Sequence, residues 1–154
     1  MTTKKMAIIA TKGALDMAYP PLILASTAAA LDWEVQVFFT FYGLSLLRKD
    51  ISDIRISPLA NPAMPMPMPV TLRMMPGMEA MATSMMKAKM KKKGVATLEE
   101  LRSLCLEAEV KFIACQMTVD LFDFQKSDFI DGIEFGGAAT FLQFAGETDV
   151  SLFI

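Results

Sequence analysis

The sequence predicts an α/β fold, a three-layer α/β/α arrangement around a mostly parallel sheet of about five strands. Three observations predict it. Short apolar runs rich in β-branched and aromatic residues recur along the chain, and stretches with helical periodicity separate them. The joints between the two kinds of segment carry turn or cap chemistry, as at Lys12-Gly13, Thr97 and Gly136-Gly137. At 154 residues, the chain 1–154 is long enough for one domain with a substantial core.

Taken in order, Lys5 to Thr11 reads as the first strand and Lys12-Gly13 as its turn. Leu15 to Leu31 is mostly alanine, leucine and isoleucine and reads as a buried helix. Pro20 and Pro21 mark a kink or second start in it, because proline lacks the amide donor and crowds the preceding turn. Glu34 to Phe41 reads as the second strand, ended by Tyr42-Gly43, and Gly43 to Arg48 as a short helix. That spacing suits a right-handed strand–helix–strand unit. An insertion rich in methionine and proline then spans about 58–93. Its Asn61 to Pro69 run alternates the two residues, which excludes a central strand and favours an extended path. Met78, Met81, Met85, Met86 and Met90 fall at helical spacing, with Gly94 as the stop. Lysines at 87, 89, 91, 92 and 93 suit the negative end of that helix.

Thr97-Leu98-Glu99-Glu100 is a capping box, and its helix runs to about Ala108 with Leu98, Leu101, Leu104, Cys105 and Ala108 on one face. Val110 to Ala114 is the third strand, followed by Cys115 and a helix over Gln116 to Phe124. Ser127 to Ile130 adds a turn, and Ile133 to Phe135 a brief strand. Ala138 to Ala145 is a helix closed by Gly146, and Val150 to Ile154 the final strand.

Composition narrows the function. Hydrophobic residues make up 53% of the chain against 21% charged, a surplus that a homo-oligomer would hide. With a net charge of −2, nothing in the overall charge points to nucleic acid, and no nucleic-acid partner is expected. No run reaches the roughly 18 apolar residues of a membrane span. The richest stretch, Ala18 to Leu31, holds two prolines. Ala7 to Ala10 is too short for a signal-peptide core, so the expected location is the cytoplasm, with membrane association the less favoured reading. The chain has no histidine, which removes Cys-His and Ser-His-Asp catalysis and the usual zinc and iron ligand sets. Neither a metal nor another cofactor is expected. Two cysteines do not make the disulfide framework of a secreted domain.

Cys115 is the first candidate for chemistry. It stands where a strand ends and a helix opens, where peptide dipoles favour thiolate over thiol and where open parallel sheets collect their ligands. The competing reading is a buried structural cysteine. Cys105, ten residues upstream on an apolar helix face, reads first as core and second as a resolving thiol or alternative sulfur acceptor. Lys12, Gly13, Gly136 and Gly137 belong to turns expected at the same sheet edge, and Gln116 follows the thiol directly. These are the candidates for an anion or substrate pocket, with tight βα turns as the plainer reading; no phosphate-binding glycine motif is present. The methionines are soft enough for copper(I), yet such spacing more often gives adaptable packing, here a lid or a subunit contact. The lysine run is a solvated helix end, or a docking site for an acidic partner or an anionic membrane surface.

Phe112-Ile113-Ala114-Cys115-Gln116-Met117-Thr118-Val119-Asp120, the stretch Phe129 to Phe141 with its D-G-I-E-F-G-G-A-A-T core, and the closing Asp149 to Ile154 together resemble the DsrE/DsrF/DsrH-like family, in particular its branch often labelled peroxiredoxin-like. The resemblance covers nearly the whole chain. It implies a homo-oligomeric sulfurtransferase fold in which a cysteine accepts sulfur as a persulfide, or thiosulfate as an S-sulfonate, and passes it to a small TusA-like sulfur carrier. The family cysteine carries over to Cys115, and a second cysteine of some relatives to Cys105. The peroxiredoxin signature P-x-x-x-T-x-x-C is missing, since Lys111-Phe112-Ile113-Ala114 precede Cys115. The alternative is a non-catalytic binding or scaffold module working through the methionine-rich segment.

Overall fold

The computed structural model describes residues 2–57, 69, 71 and 75–154. The alternating methionine–proline run lies, Pro69 aside, outside them. Strands β1 (Lys5–Ala10), β2 (Glu34–Phe39), β3 (Lys111–Cys115), β4 (Glu134–Gly136) and β5 (Val150–Phe153) form one sheet in the order β4-β3-β2-β1-β5, every pair parallel. The helices are α1 (Leu15–Ala30), α2 (Met78–Lys92), α3 (Leu98–Glu107), α4 (Gln116–Leu121) and α5 (Ala138–Ala145), with 3-10 turns at Phe41–Leu47 and Lys126–Asp128.

Central strands of a parallel sheet are covered on both faces, and β2 and β3 show it: only Glu34 and Lys111, their first residues, are exposed. Phe38 stacks on Phe141 of α5 with ring centroids 5.0 Å apart. Phe39, one residue on and therefore on the opposite face, meets Phe112 edge-on at 5.0 Å. From β1 to β4 the chain steps across the sheet in one direction, then crosses back to β5 through α5. Right-handed crossovers therefore put α1 and α3, which pack together, on one face and α5 on the other.

Several boundaries differ from expectation for identifiable reasons. α1 runs unbroken through Pro20 and Pro21, with no second start, and leaves Ile23 and Leu24 exposed on its outer side. β2 stops two residues early because Phe41 turns into left-handed backbone at φ 48°. The helix after Cys115 ends at Leu121: Asp123 is left-handed at φ 55°, and the Phe124 N–H closes on the Val119 carbonyl at 3.0 Å. The same closure at Asp32 and Glu109 ends α1 and α3, by Trp33 N–H to Ala28 and Val110 N–H to Cys105. α2 turns Met78 against the core but not the methionines that follow it on its exposed side. Its buried residue is Thr83, whose hydroxyl accepts the Ile56 N–H at 3.1 Å, while Met81, Met85 and Met86 are exposed.

Candidate functional site

β3 delivers Cys115 to the carboxyl edge of the sheet, and its register partner on β4 is Gly136. The chain leaves β3 into α4 on one face and leaves β4 into α5 on the other. Adjacent strands whose exits diverge in this way form the switch point of an open parallel sheet, the place where such folds hold ligands. Cys115 therefore occupies the switch point, and the residue beside it has no Cβ.

Phe39 pairs with Ala114, so Thr40 lies alongside Cys115 one step further and points to the same face. Cys115 has 5% of its surface exposed. Burial pushes its thiol up, but the polar groups nearby more than offset it by favouring the charged form: the Thr118 hydroxyl and N–H, the Thr40 hydroxyl and the Met117 N–H. The thiol lies below its ordinary range as a result. The two hydroxyls are 3.2 Å apart, and the Phe41 N–H donates to Thr118 Oγ1 at 3.1 Å. An apolar collar stands around this centre. Phe41 and Tyr42 lie against Phe122, and Tyr42, Met117 and Leu121 are exposed.

The other sequence candidates divide. Gly136 and Gly137 border Cys115 through β4. Gln116 is half-buried, and its amide donates to Asp120 Oδ1 at 2.8 Å. Lys12 and Gly13 follow β1, at the same sheet edge but two strands away, with Lys12 exposed. Gly13 is the point where the first turn presses on the 3-10 segment: a Cβ there would collide with Ser45 Oγ and the Tyr42 carbonyl oxygen. Cys105 is fully buried in α3 and donates to the Leu22 carbonyl oxygen at 3.4 Å. Burial pushes its thiol up to about 12. Thr40 and Thr118 are absent from the sequence candidates. Their signal was faint: a threonine one turn beyond the cysteine, and another just past the β2 aromatic run.

Among the described residues no group of three or more thiol or carboxylate side chains is placed to hold a metal, and no helix is long and apolar enough to cross a membrane. A cleft of about 750 Å³ lies elsewhere, between α2 and the start of α3, lined by Tyr19, Lys87, Met90 and Glu100 among others.

The arrangement defines a class: small parallel α/β domains that place a cysteine at the carboxyl edge of the sheet. The model of the DsrE/DsrF/DrsH-like family matches residues 2–153, and the chain belongs to that family. It is 65% identical to the sulfur carrier protein DsrE2 of Allochromatium vinosum, over all of both chains. It is also 35% identical to YrkE of Bacillus subtilis, an uncharacterized protein, over 99% of this chain and 98% of that one. Among solved structures it resembles the YchN protein of E. coli, with a TM-score of 0.58 at 13% identity, covering 99% of this chain and 100% of the other. A protein of unknown function from Methanobacterium thermoautotrophicum gives a TM-score of 0.56 at 13% identity, covering 97% and 98%. These two likenesses concern the fold.

Proposed function

We propose that this protein is a cytoplasmic sulfur carrier that holds sulfane sulfur on Cys115 and hands it to a partner thiol. The observation that carries the reading is the position of Cys115 at the carboxyl end of β3, beside Gly136 at the switch point, where nearby polar groups hold its thiol below the ordinary range. The name of the Allochromatium relative, identical at 65% of positions, points the same way. The Cys115 thiolate attacks the outer sulfur of a persulfide donor, a new S–S bond forms, and the donor leaves as its thiolate. With thiosulfate the same attack releases sulfite. In the second step an acceptor thiolate takes the outer sulfur and Cys115 leaves as thiolate, with no net oxidation. Neither step needs imidazole, in keeping with a chain that has none.

Cys115 is nearly covered, so the acceptor must bring its sulfur on a narrow or mobile segment. A small TusA-like carrier suits that role, with the Phe41, Tyr42, Met117 and Leu121 collar as its contact. The remaining exposed apolar surface supports a homo-oligomer. Intact-mass measurement after exposure to polysulfide or thiosulfate tests the reading. Wild type and Cys105→Ser gain sulfur that reductant removes, and Cys115→Ser gains none; full adduct on Cys115→Ser overturns the assignment.

The exposed thioethers of Met81, Met85 and Met86 favour a second reading, a copper(I) or apolar-ligand module working through α2. Tight, methionine-dependent copper(I) binding together with an unreactive Cys115 would replace the carrier reading.

A further inference from the structure

α2 is the least embedded helix of the fold. Its buried residue is Thr83, and two hydrogen bonds tie its inner side to the preceding chain: the Ile56 N–H to Thr83 Oγ1 and Lys87 Nζ to the Ser52 carbonyl oxygen, both at 3.1 Å. Met78 and Ala82 pack against the core. The outer side has no cover among the described residues: Met81 is 53% exposed and Met85 67%. These two head a row at helical spacing that Ala88 and Lys92 continue, and Lys89 follows Met85 by one turn.

Positive charge is concentrated on the same helix. From Met78 to Lys93 there are five lysines and one acid, Glu79, in a chain whose net charge is −2. Among the described residues no lysine of α2 enters an ion pair; the salt bridges engage Lys5, Arg48 and Lys111. Lys89, Lys91 and Lys92 complement the negative end of the helix dipole. The dipole does not account for the exposed thioethers on the turns before them, which are unfavourable in water.

We propose that the outer face of α2 docks on an anionic lipid bilayer surface, with Met81 and Met85 entering the acyl boundary while Lys89 and Lys92 reach headgroup phosphates. An apolar row running into lysines is the pattern of a helix that lies in a membrane interface. There the lysine stems cross apolar surface and keep their ammonium groups among the phosphates. Each lysine near such a surface adds an attraction that salt screens. A folded acidic partner fits this face less well, since a convex helix face needs a matched groove in a protein, whereas lipid deforms around unbranched, flexible methionines. No helix of the described residues is long and apolar enough to cross the bilayer, and the docking proposed is peripheral and reversible. α2 supplies no residue to the Cys115 site, so the docking face stands apart from the carrier reading.

The test is co-sedimentation of the full chain with vesicles of phosphatidylcholine alone and of phosphatidylcholine mixed with phosphatidylglycerol. The wild type partitions onto the mixed vesicles, stays in solution with phosphatidylcholine alone, and is released as salt rises. Lys89→Gln combined with Lys92→Gln, both at exposed positions, weakens partitioning roughly thirtyfold. Met81→Ser combined with Met85→Ser weakens it as well and leaves the salt dependence in place. Absence of partitioning at low salt overturns the proposal, and so does equal binding to both kinds of vesicle or an unmoved lysine variant. Binding to polyglutamate without binding to vesicles also overturns it and assigns the face to an acidic protein.

Discussion

Cys105 and Cys115 share a chain, a side chain and near-complete burial, yet their thiols are driven apart. Cys105 meets one carbonyl acceptor inside hydrocarbon, so its charged form is penalised and its thiol rises to about 12. Cys115 is less deeply buried and has the hydroxyls of Thr118 and Thr40 and the Thr118 and Met117 N–H groups nearby, which favour its charged form and hold the thiol below its ordinary range. The difference has a thermodynamic consequence of definite sign. Cys105 keeps its proton in the folded protein while an unfolded chain loses it near 9, so folding stability falls as pH rises from about 9 toward 12. Urea titrations at several alkaline pH values should show this fall, and Cys105→Ala should flatten it at a cost of about 1–2 kcal/mol at neutral pH. Equal alkaline slopes in the two proteins would mean that Cys105 is not the group responsible. For Cys115 the sign reverses: its contribution is present above the unfolded thiol value and fades as pH falls through the lower folded one.

At the scale of elements, the site depends on how β2 ends more than on how α4 begins. α4 has only six residues, and its dipole is correspondingly small. Thr40 stands beside Cys115 in the strand register, and the left-handed Phe41 and the close Gly43–Ala10 contact fix where its hydroxyl stands. Gly43→Ala should therefore lower stability by about 2–3 kcal/mol, read from denaturant midpoints, and raise the pH midpoint of Cys115 alkylation by displacing Thr40. A destabilised variant with an unchanged Cys115 midpoint would show that the β2 terminus has no hold on the thiol. The capping box, in contrast, was fully legible in sequence: Thr97 Oγ1 accepts the Glu100 N–H at 3.1 Å, and Glu100 Oε2 accepts the Thr97 N–H at 2.8 Å. Its chemistry is confined to four consecutive residues. The early end of α4 was not legible, because the left-handed residue that stops it is Asp123 and no glycine announced it.

For the whole molecule, the surplus of apolar residues is only partly absorbed by the core. Leu142 on α5 and Phe153 on β5 remain exposed at one sheet edge, and Tyr42, Met117 and Leu121 around the site near the other. Sedimentation velocity should find a multiple of the chain mass, and a monomer at micromolar concentration would remove the homo-oligomer from the proposed function. The sheet's strands, their order of appearance and the placement of Cys115 at a strand end could all be read from periodicity, since each depends on neighbours in the chain. A mostly parallel sheet followed from the alternation of strands and helices, since a parallel partner requires a crossover, and the structure makes every pair parallel. Strand order did not follow, and with it went the switch point, which exists only because the chain crosses back from β4 to β5.

The sequence by itself determined the α/β class, the capping box that opens α3, the exclusion of imidazole chemistry and the one cysteine at a strand terminus. These are properties of composition and of contacts a few residues apart. Only the tertiary structure decided which groups tune that cysteine. Thr40 and Thr118 are 78 positions apart, and the Phe41 N–H that donates to Thr118 is 77 positions from it. Hydrogen bonds of that span are set by strand register and a clamped turn, and no local pattern in the chain records them.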